Sequence, residues 1–222
     1  IFDLLCLFIM RKVVGILGGV GPEATSDLFR KIIRETPAAT DQDHLKTIIL
    51  NNPNIPDRTE AILHNGDSPL PELISTAKTL DALNVSYILV PCNTAHHYLD
   101  KIQQEVKTPI LNMISETVDY IEKNYPNVKR VGVLATTGTI ASEIYAKELK
   151  HRGYSVITPD EDVQDNFVME AIYGTKGIKS GFKKKPRTLL KYASLHLQEK
   201  GAEIIDADKI AHQLMAPQTP VW

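Results

Sequence analysis

The chain has 222 residues, of which 43% are hydrophobic and 23% charged, with 25 basic and 27 acidic side chains. That is the make-up of an ordinary globular protein, long enough for one large domain or two smaller ones. The balanced charge calls for neither nucleic acid nor a membrane as partner, and two distant cysteines, Cys6 and Cys92, suggest no disulfide framework and a cytoplasmic setting.

Residues 1–9 are apolar but too few to cross a bilayer, and they lack the basic start and cleavage site of a signal peptide. Met10-Arg11-Lys12 reads as a bacterial start leading into the first strand, so 1–9 is expected to be a non-native leader. Residues 13–17 form an apolar strand ending in Gly18-Gly19-Val20-Gly21, and a helix follows to about residue 34. Pro22 suits its first turn and Glu23 its positive end. Residues 45–50 read as a second strand closing in a polar loop through Asp57 and Arg58. A helix over 71–83, a strand over 87–90 and a helix over 95–105 come next, and residues 109–111 could begin another strand.

The pattern then restarts. Residues 130–134 are a strand, followed by Ala135-Thr136-Thr137-Gly138-Thr139 and a helix over 140–151. Residues 156–157 are a short strand and 165–173 a helix. Leu189, Leu190, Ala193 and Leu197 put helical spacing on 187–200, with Gly201 as cap before one more strand. The basic cluster around Lys183–Arg187 reads as a solvated loop next to a helix start, with a localisation or phosphate patch as the alternative. Strands alternating with helices predict parallel sheets built from βαβ units. The expected class is α/β, with mostly parallel sheets flanked by helices, and the two halves could be a duplicated pair of domains facing one cleft.

Cys92 stands directly after the strand over 87–90, where ligands bind in open α/β sheets. A thiol there can be a nucleophile or proton carrier, or simply a small buried hydrophobe. Asn93 and Thr94 beside it could hold a carboxylate. Arg58 could clamp one too, unless it is a surface arginine paired to Asp57. Thr136, Thr137 and Thr139 could offer hydroxyls from the second half, or cap a helix. The glycine loop departs from the dinucleotide spacing and no P-loop occurs, leaving a carboxylate site or a plain turn. His96 could tune the thiol. No set of side chains has metal-ligand spacing.

Gly18-Gly19-Val20-Gly21-Pro22-Glu23-Ala24-Thr25, Asn51-Asn52-Pro53-Asn54-Ile55-Pro56-Asp57-Arg58-Thr59 and Pro91-Cys92-Asn93-Thr94-Ala95-His96 occur in that order. Together they resemble the aspartate/glutamate racemase family, in particular its aspartate racemase branch. Ala171-Ile172-Tyr173-Gly174 leading to Lys179 resembles that family's lysine-bearing segment. The resemblance implies two pseudo-symmetric α/β domains with the active site in the cleft between them, a first over 10–108 and a second over 109–205. It implies an amino-acid racemase needing neither pyridoxal phosphate nor metal, with one cysteine from each domain working on opposite faces of the substrate's α-carbon. By motif, Cys92 is the first of that pair, and Arg58, Asn93, Thr94, Thr136 and Lys179 are substrate contacts. The partner implied is a small molecule, aspartate or glutamate, and a homodimer is compatible with it.

The family's second cysteine is missing: Asp208 stands in its place and Lys209 where a threonine is expected. Residues 206–222 look foreign, with Asp-Ala-Asp-Lys-Ile-Ala-His-Gln-Leu resembling a segment of dephospho-CoA kinase. The expectation is therefore a racemase impaired by a lost thiol, because an aspartate near pKa 3.9 is a poor neutral-pH acid. The alternatives are a non-catalytic binder of a small dicarboxylate amino acid and a truncated fusion product.

Overall fold

The structure, a computed structural model, describes residues 12–203. At its centre β1 (Val13–Gly18) pairs in parallel with β2 (Lys46–Asn51) on one side and β3 (Tyr87–Leu89) on the other. A central parallel strand is covered on both faces, so its sequence reads as an unbroken apolar run. Val14, Ile16 and Leu17 are accordingly fully buried. α1 (Pro22–Glu35) covers Val14 and Ile16 with Leu28, Phe29 and Ile32. Leu73, Ala77 and Leu80 of α3 (Leu70–Ala82) pack on Leu17 and Ile88. Each such leucine or isoleucine contributes about 1.5–3 kcal/mol relative to exposure.

A second parallel sheet pairs β4 (Arg130–Gly132) with β5 (Ser155–Ile157). Val118 and Ile121 of α5 (Met113–Asn124) and Leu149 of α7 (Ile144–His151) pack on Val131. Leu197 of α10 (Lys184–Glu199) packs with Ile157 and Ala202. Gly201, at φ +84°, takes the left-handed turn that ends α10. A parallel bridge between Val131 and Glu203 sets the chain beside β4 at the edge of the described residues. The basic cluster, expected as a loop, forms the start of α10, where Lys183 pairs with Glu23 and Lys185 with Glu170.

The structure departs from the sequence expectations at several places, among them α5, a helix that was not foreseen. The helix expected over 95–105 is a 3₁₀ run, Thr94–Tyr98, followed by α4 (Leu99–Gln103). The helix over 140–151 is two, α6 (Thr137–Ala141) and α7, because Glu143 adopts a left-handed φ of +56°. The helix over 165–173 starts earlier, as α8 (Glu161–Val163), and runs through a π-turn, Gln164–Met169, into α9 (Glu170–Tyr173). The strand over 109–111 shrinks to one bridge between Ile88 and Ile110. Pro109 has no N–H to donate, and Asn112 caps α5 at once by accepting from the Ile114 and Ser115 amides. Finally, Arg58 opens a helix, α2 (Arg58–Leu63), where a loop was expected.

The two halves touch where α2 meets α6. A Cβ on Gly138 would stand 2.8 Å from Thr59 Oγ1 and 2.9 Å from Thr59 Cα, so only glycine allows this approach. Among the described residues no helix is long and apolar enough to cross a membrane.

Candidate active site

The loops after β1, β3 and β4 open at the carboxyl ends of their strands. They border a cavity of about 200 Å³. Arg58, Cys92, Asn93, Thr94, Thr136 and Lys179, the site residues that the resemblance implied, all line it, as does Thr139, together with Val20, Ile172 and Tyr173, whereas Thr137 and His96 do not.

Cys92 is partly buried against the core of the first half and also borders the cavity. A tight turn holds it, its amide donating to the Val90 carbonyl at 2.8 Å. His96 does not tune this thiol as a cation. Its Nδ1 donates to the Cys92 carbonyl at 2.8 Å while its Nε2 accepts the Met113 amide at 3.2 Å. An acceptor nitrogen means a neutral ring, and burial pushes the imidazole's pKa down, against the smaller upward pull of its backbone bonds. His96 instead ties the Cys92 loop to the start of α5.

Arg58 is only 7% exposed and is not the surface partner of Asp57. Its guanidinium donates to the carbonyls of Pro56 at 3.0 Å, Val20 at 3.1 Å and Ile55 at 3.4 Å. Nε is buried without a partner. Among the described residues no carboxylate pairs with this cation. A buried charge held by dipoles alone is costly and gains from an incoming anion. At 4 Å and an effective dielectric of 20 a carboxylate would attract it by about 4 kcal/mol, before desolvation. The glycine loop serves this arrangement more than it serves an anion. Gly19, at φ +89°, lies so close to Asn52 that a Cβ would fall 2.2 Å from its backbone. Its amide donates to Thr25 Oγ1, and the turn so made presents the Val20 carbonyl to Arg58.

Three hydroxyls meet on the cavity wall. Thr94 Oγ1 lies 3.1 Å from Thr136 Oγ1 and 2.7 Å from Thr139 Oγ1, and the last two are 3.0 Å apart. Thr136 also caps α6 by accepting the Thr139 amide, so capping and cavity lining coincide in one residue. Asn93 Oδ1 accepts from the Tyr145 hydroxyl at 2.7 Å.

At the rim, Lys179 donates to Asp57 Oδ2 at 2.9 Å and lies 3.8 Å from the centre of the Tyr173 ring. The Tyr173 hydroxyl donates to both Asp57 oxygens, at 3.2 and 3.0 Å. Asp57 itself caps α2, accepting the Thr59 and Glu60 amides. Burial alone would raise its pKa, but the Lys179 bond and charge and the two amides outweigh it and bring the carboxyl down to about 2. Asp57 and Tyr173 were not foreseen as site residues. The signal was present for Asp57, since Asp-x-x-Glu before a helix is a capping pattern.

Among the described residues no three His, Cys, Asp or Glu side chains gather to hold a metal ion. Cys6 and Asp208 lie outside the described residues, as do the whole leader and the whole foreign-looking tail.

Residues 17–205 match the family model described as Asp/Glu/hydantoin racemase. The broad specificity amino-acid racemase RacX of Bacillus subtilis (strain 168) is 36% identical over 153 residues, which is 67% of this chain and 65% of that protein. The chain thus spans somewhat less than two thirds of that relative's length. An aspartate racemase structure from Picrophilus torridus superimposes with a TM-score of 0.70 at 30% identity, covering 87% of this chain and 78% of that one. An aspartate racemase homologue from Pyrococcus horikoshii OT3 shares the fold, with a TM-score of 0.68 at 20% identity over 92% and 97% of the two chains.

Proposed function

Because the chain belongs to the Asp/Glu/hydantoin racemase family, we propose that it binds an acidic amino acid, aspartate or glutamate, and moves its α-hydrogen through Cys92. The observation that carries this reading is the buried Arg58 guanidinium, with no carboxylate partner among the described residues, on the wall of the cavity that Cys92 also lines. Arg58 takes one substrate carboxylate. Lys179, at the rim, takes the other or shares it. The Cys92 thiolate removes the α-hydrogen, and charge then spreads onto the adjoining carboxylate, where the Asn93 amide and the threonine hydroxyls stand ready to donate. Fixed donors matter here because an α-hydrogen is so weakly acidic that a base alone would be slow.

In this reading the cavity is the cleft between a first domain ending near residue 108 and a second beginning near 109. Inversion needs a second proton carrier on the opposite face. By the resemblance Asp208 stands where the family has its second cysteine, and an aspartate is a poor acid at neutral pH, so we propose that exchange of the α-hydrogen outruns inversion.

The test is α-deuterium incorporation in heavy water, followed by proton NMR, with chiral chromatography counting the enantiomers. Aspartate, glutamate and a panel of neutral and basic amino acids are compared, since the Bacillus relative is named for broad specificity. Exchange is expected in at least one enantiomer of an acidic amino acid. Cys92→Ser should slow it by about 10³-fold or more, the order of effect on losing an essential acid–base group. Exchange that survives this substitution unchanged removes the proposal.

A further inference from the structure

A second cavity, of about 230 Å³ and mostly apolar, shares Asn93, Leu134 and Ala135 with the first. Tyr145, from α7, borders the second but not the first and reaches Asn93 Oδ1 with its hydroxyl at 2.7 Å. Among the described residues Asn93 Nδ2 has no protein partner. With its oxygen taken by the Tyr145 hydroxyl, the amide has its two N–H donors left over.

We infer that Tyr145 is a positioning residue: its hydroxyl holds the Asn93 side-chain amide with Nδ2, rather than Oδ1, turned to the cavity that Cys92 lines. This rests on the reading above for what Nδ2 then meets, a carboxylate. An amide turned the other way would present an oxygen to that carboxylate and repel it. Burial pushes the phenol of Tyr145 up to about 12, the Thr117 hydroxyl opposing this only in part, so the donor proton stays in place at any working pH. The backbone contributes as well. α6 and α7 are separate helices because Glu143 sits in the left-handed region, and that break begins the helix from which Tyr145 projects. Non-glycine residues held there mark places where the surrounding structure over-determines the chain.

The experiment uses the full chain, with ¹⁵N-labelled asparagine side chains, in wild-type, Tyr145→Phe, Asn93→Ala and doubly substituted forms. Without ligand, Tyr145→Phe should shift or broaden the Asn93 amide pair while leaving the circular dichroism spectrum unchanged and lowering Tm by only about 2–4 °C. In calorimetric titrations with aspartate, Tyr145→Phe should weaken binding about tenfold, as for one misdirected charge-assisted bond. The double substitution should bind no worse than Asn93→Ala alone. In the wild type, saturating aspartate should shift the Nδ2 protons. The inference is overturned if Tyr145→Phe leaves the Asn93 signals as they were, if its effect on affinity persists undiminished in Asn93→Ala, or if aspartate binds without moving the Nδ2 signals. Should neither aspartate nor glutamate bind the wild type while the Asn93 signals still answer to Tyr145→Phe, the functional reading fails and the positioning role stands.

Discussion

Each polar group around the cavity has an identifiable reason for its position, and the charged ones make the sharpest predictions. Arg58 holds its loop through three carbonyls and leaves its charge for a ligand. Arg58→Gln should therefore weaken aspartate binding by about 10²-fold or more by calorimetry, as expected for losing a charged, hydrogen-bonded partner. Two pH windows follow from two depressed pKa values. Asp57, at about 2 against an ordinary 3.8, contributes stability that is complete above pH 3.8 and lost as the pH falls toward 2. Lys179→Met should raise the Asp57 carboxyl toward its ordinary value, read by NMR titration, and flatten that acid limb in denaturant midpoints. His96 is also held below its ordinary 6.5, so its contribution is complete above that value and begins to fade below it.

Among the elements, the turn after β1 and the break between α6 and α7 are the positions where backbone geometry decides most. Gly19→Ala forces a Cβ into the Asn52 backbone at a left-handed φ. We expect a loss of at least about 2 kcal/mol, a fall in Tm of roughly 4–8 °C by calorimetry, and weaker ligand binding because Val20 no longer meets Arg58. Glu143→Gly should act in the opposite direction. Relief of a left-handed non-glycine residue, less glycine's greater chain entropy, leaves a gain of about 0.5–1 kcal/mol, or roughly 1–4 °C in Tm. The signal for α5 was in the sequence, in an Asn112 cap followed by Ile114, Val118 and Ile121 at helical spacing. The split of α6 from α7 carried no such mark, because Ser142-Glu143 reads as ordinary helix and the left-handed turn is imposed by packing.

For the molecule as a whole, what counts is how closely the two halves approach. Gly138 against Thr59 sets that spacing, and the Thr94–Thr136–Thr139 hydroxyls join the halves a few residues away. Gly138→Ala should push α6 off α2 and separate these hydroxyls. The expected outcome is a marked loss of aspartate affinity with an unchanged far-UV spectrum, since neither sheet is touched. Unchanged affinity would mean that the spacing of the halves does not govern the cavity.

The alternation of apolar runs and helical spacing determined by itself that the chain is α/β with parallel sheets, because burying both faces of a parallel strand demands an unbroken apolar run. It also determined that Cys92 and Thr136 would fall just after strands, at their carboxyl ends, since every parallel strand points its carboxyl end the same way within a sheet. Only the tertiary structure decided that Arg58 is buried without a carboxylate, that His96 is neutral, and that Asp57 meets Lys179 and Tyr145 meets Asn93. Those pairings join residues 122 and 52 positions apart across the two halves. Local periodicity describes which face a side chain occupies within its own element, and says nothing about which side chain of another element will stand opposite it.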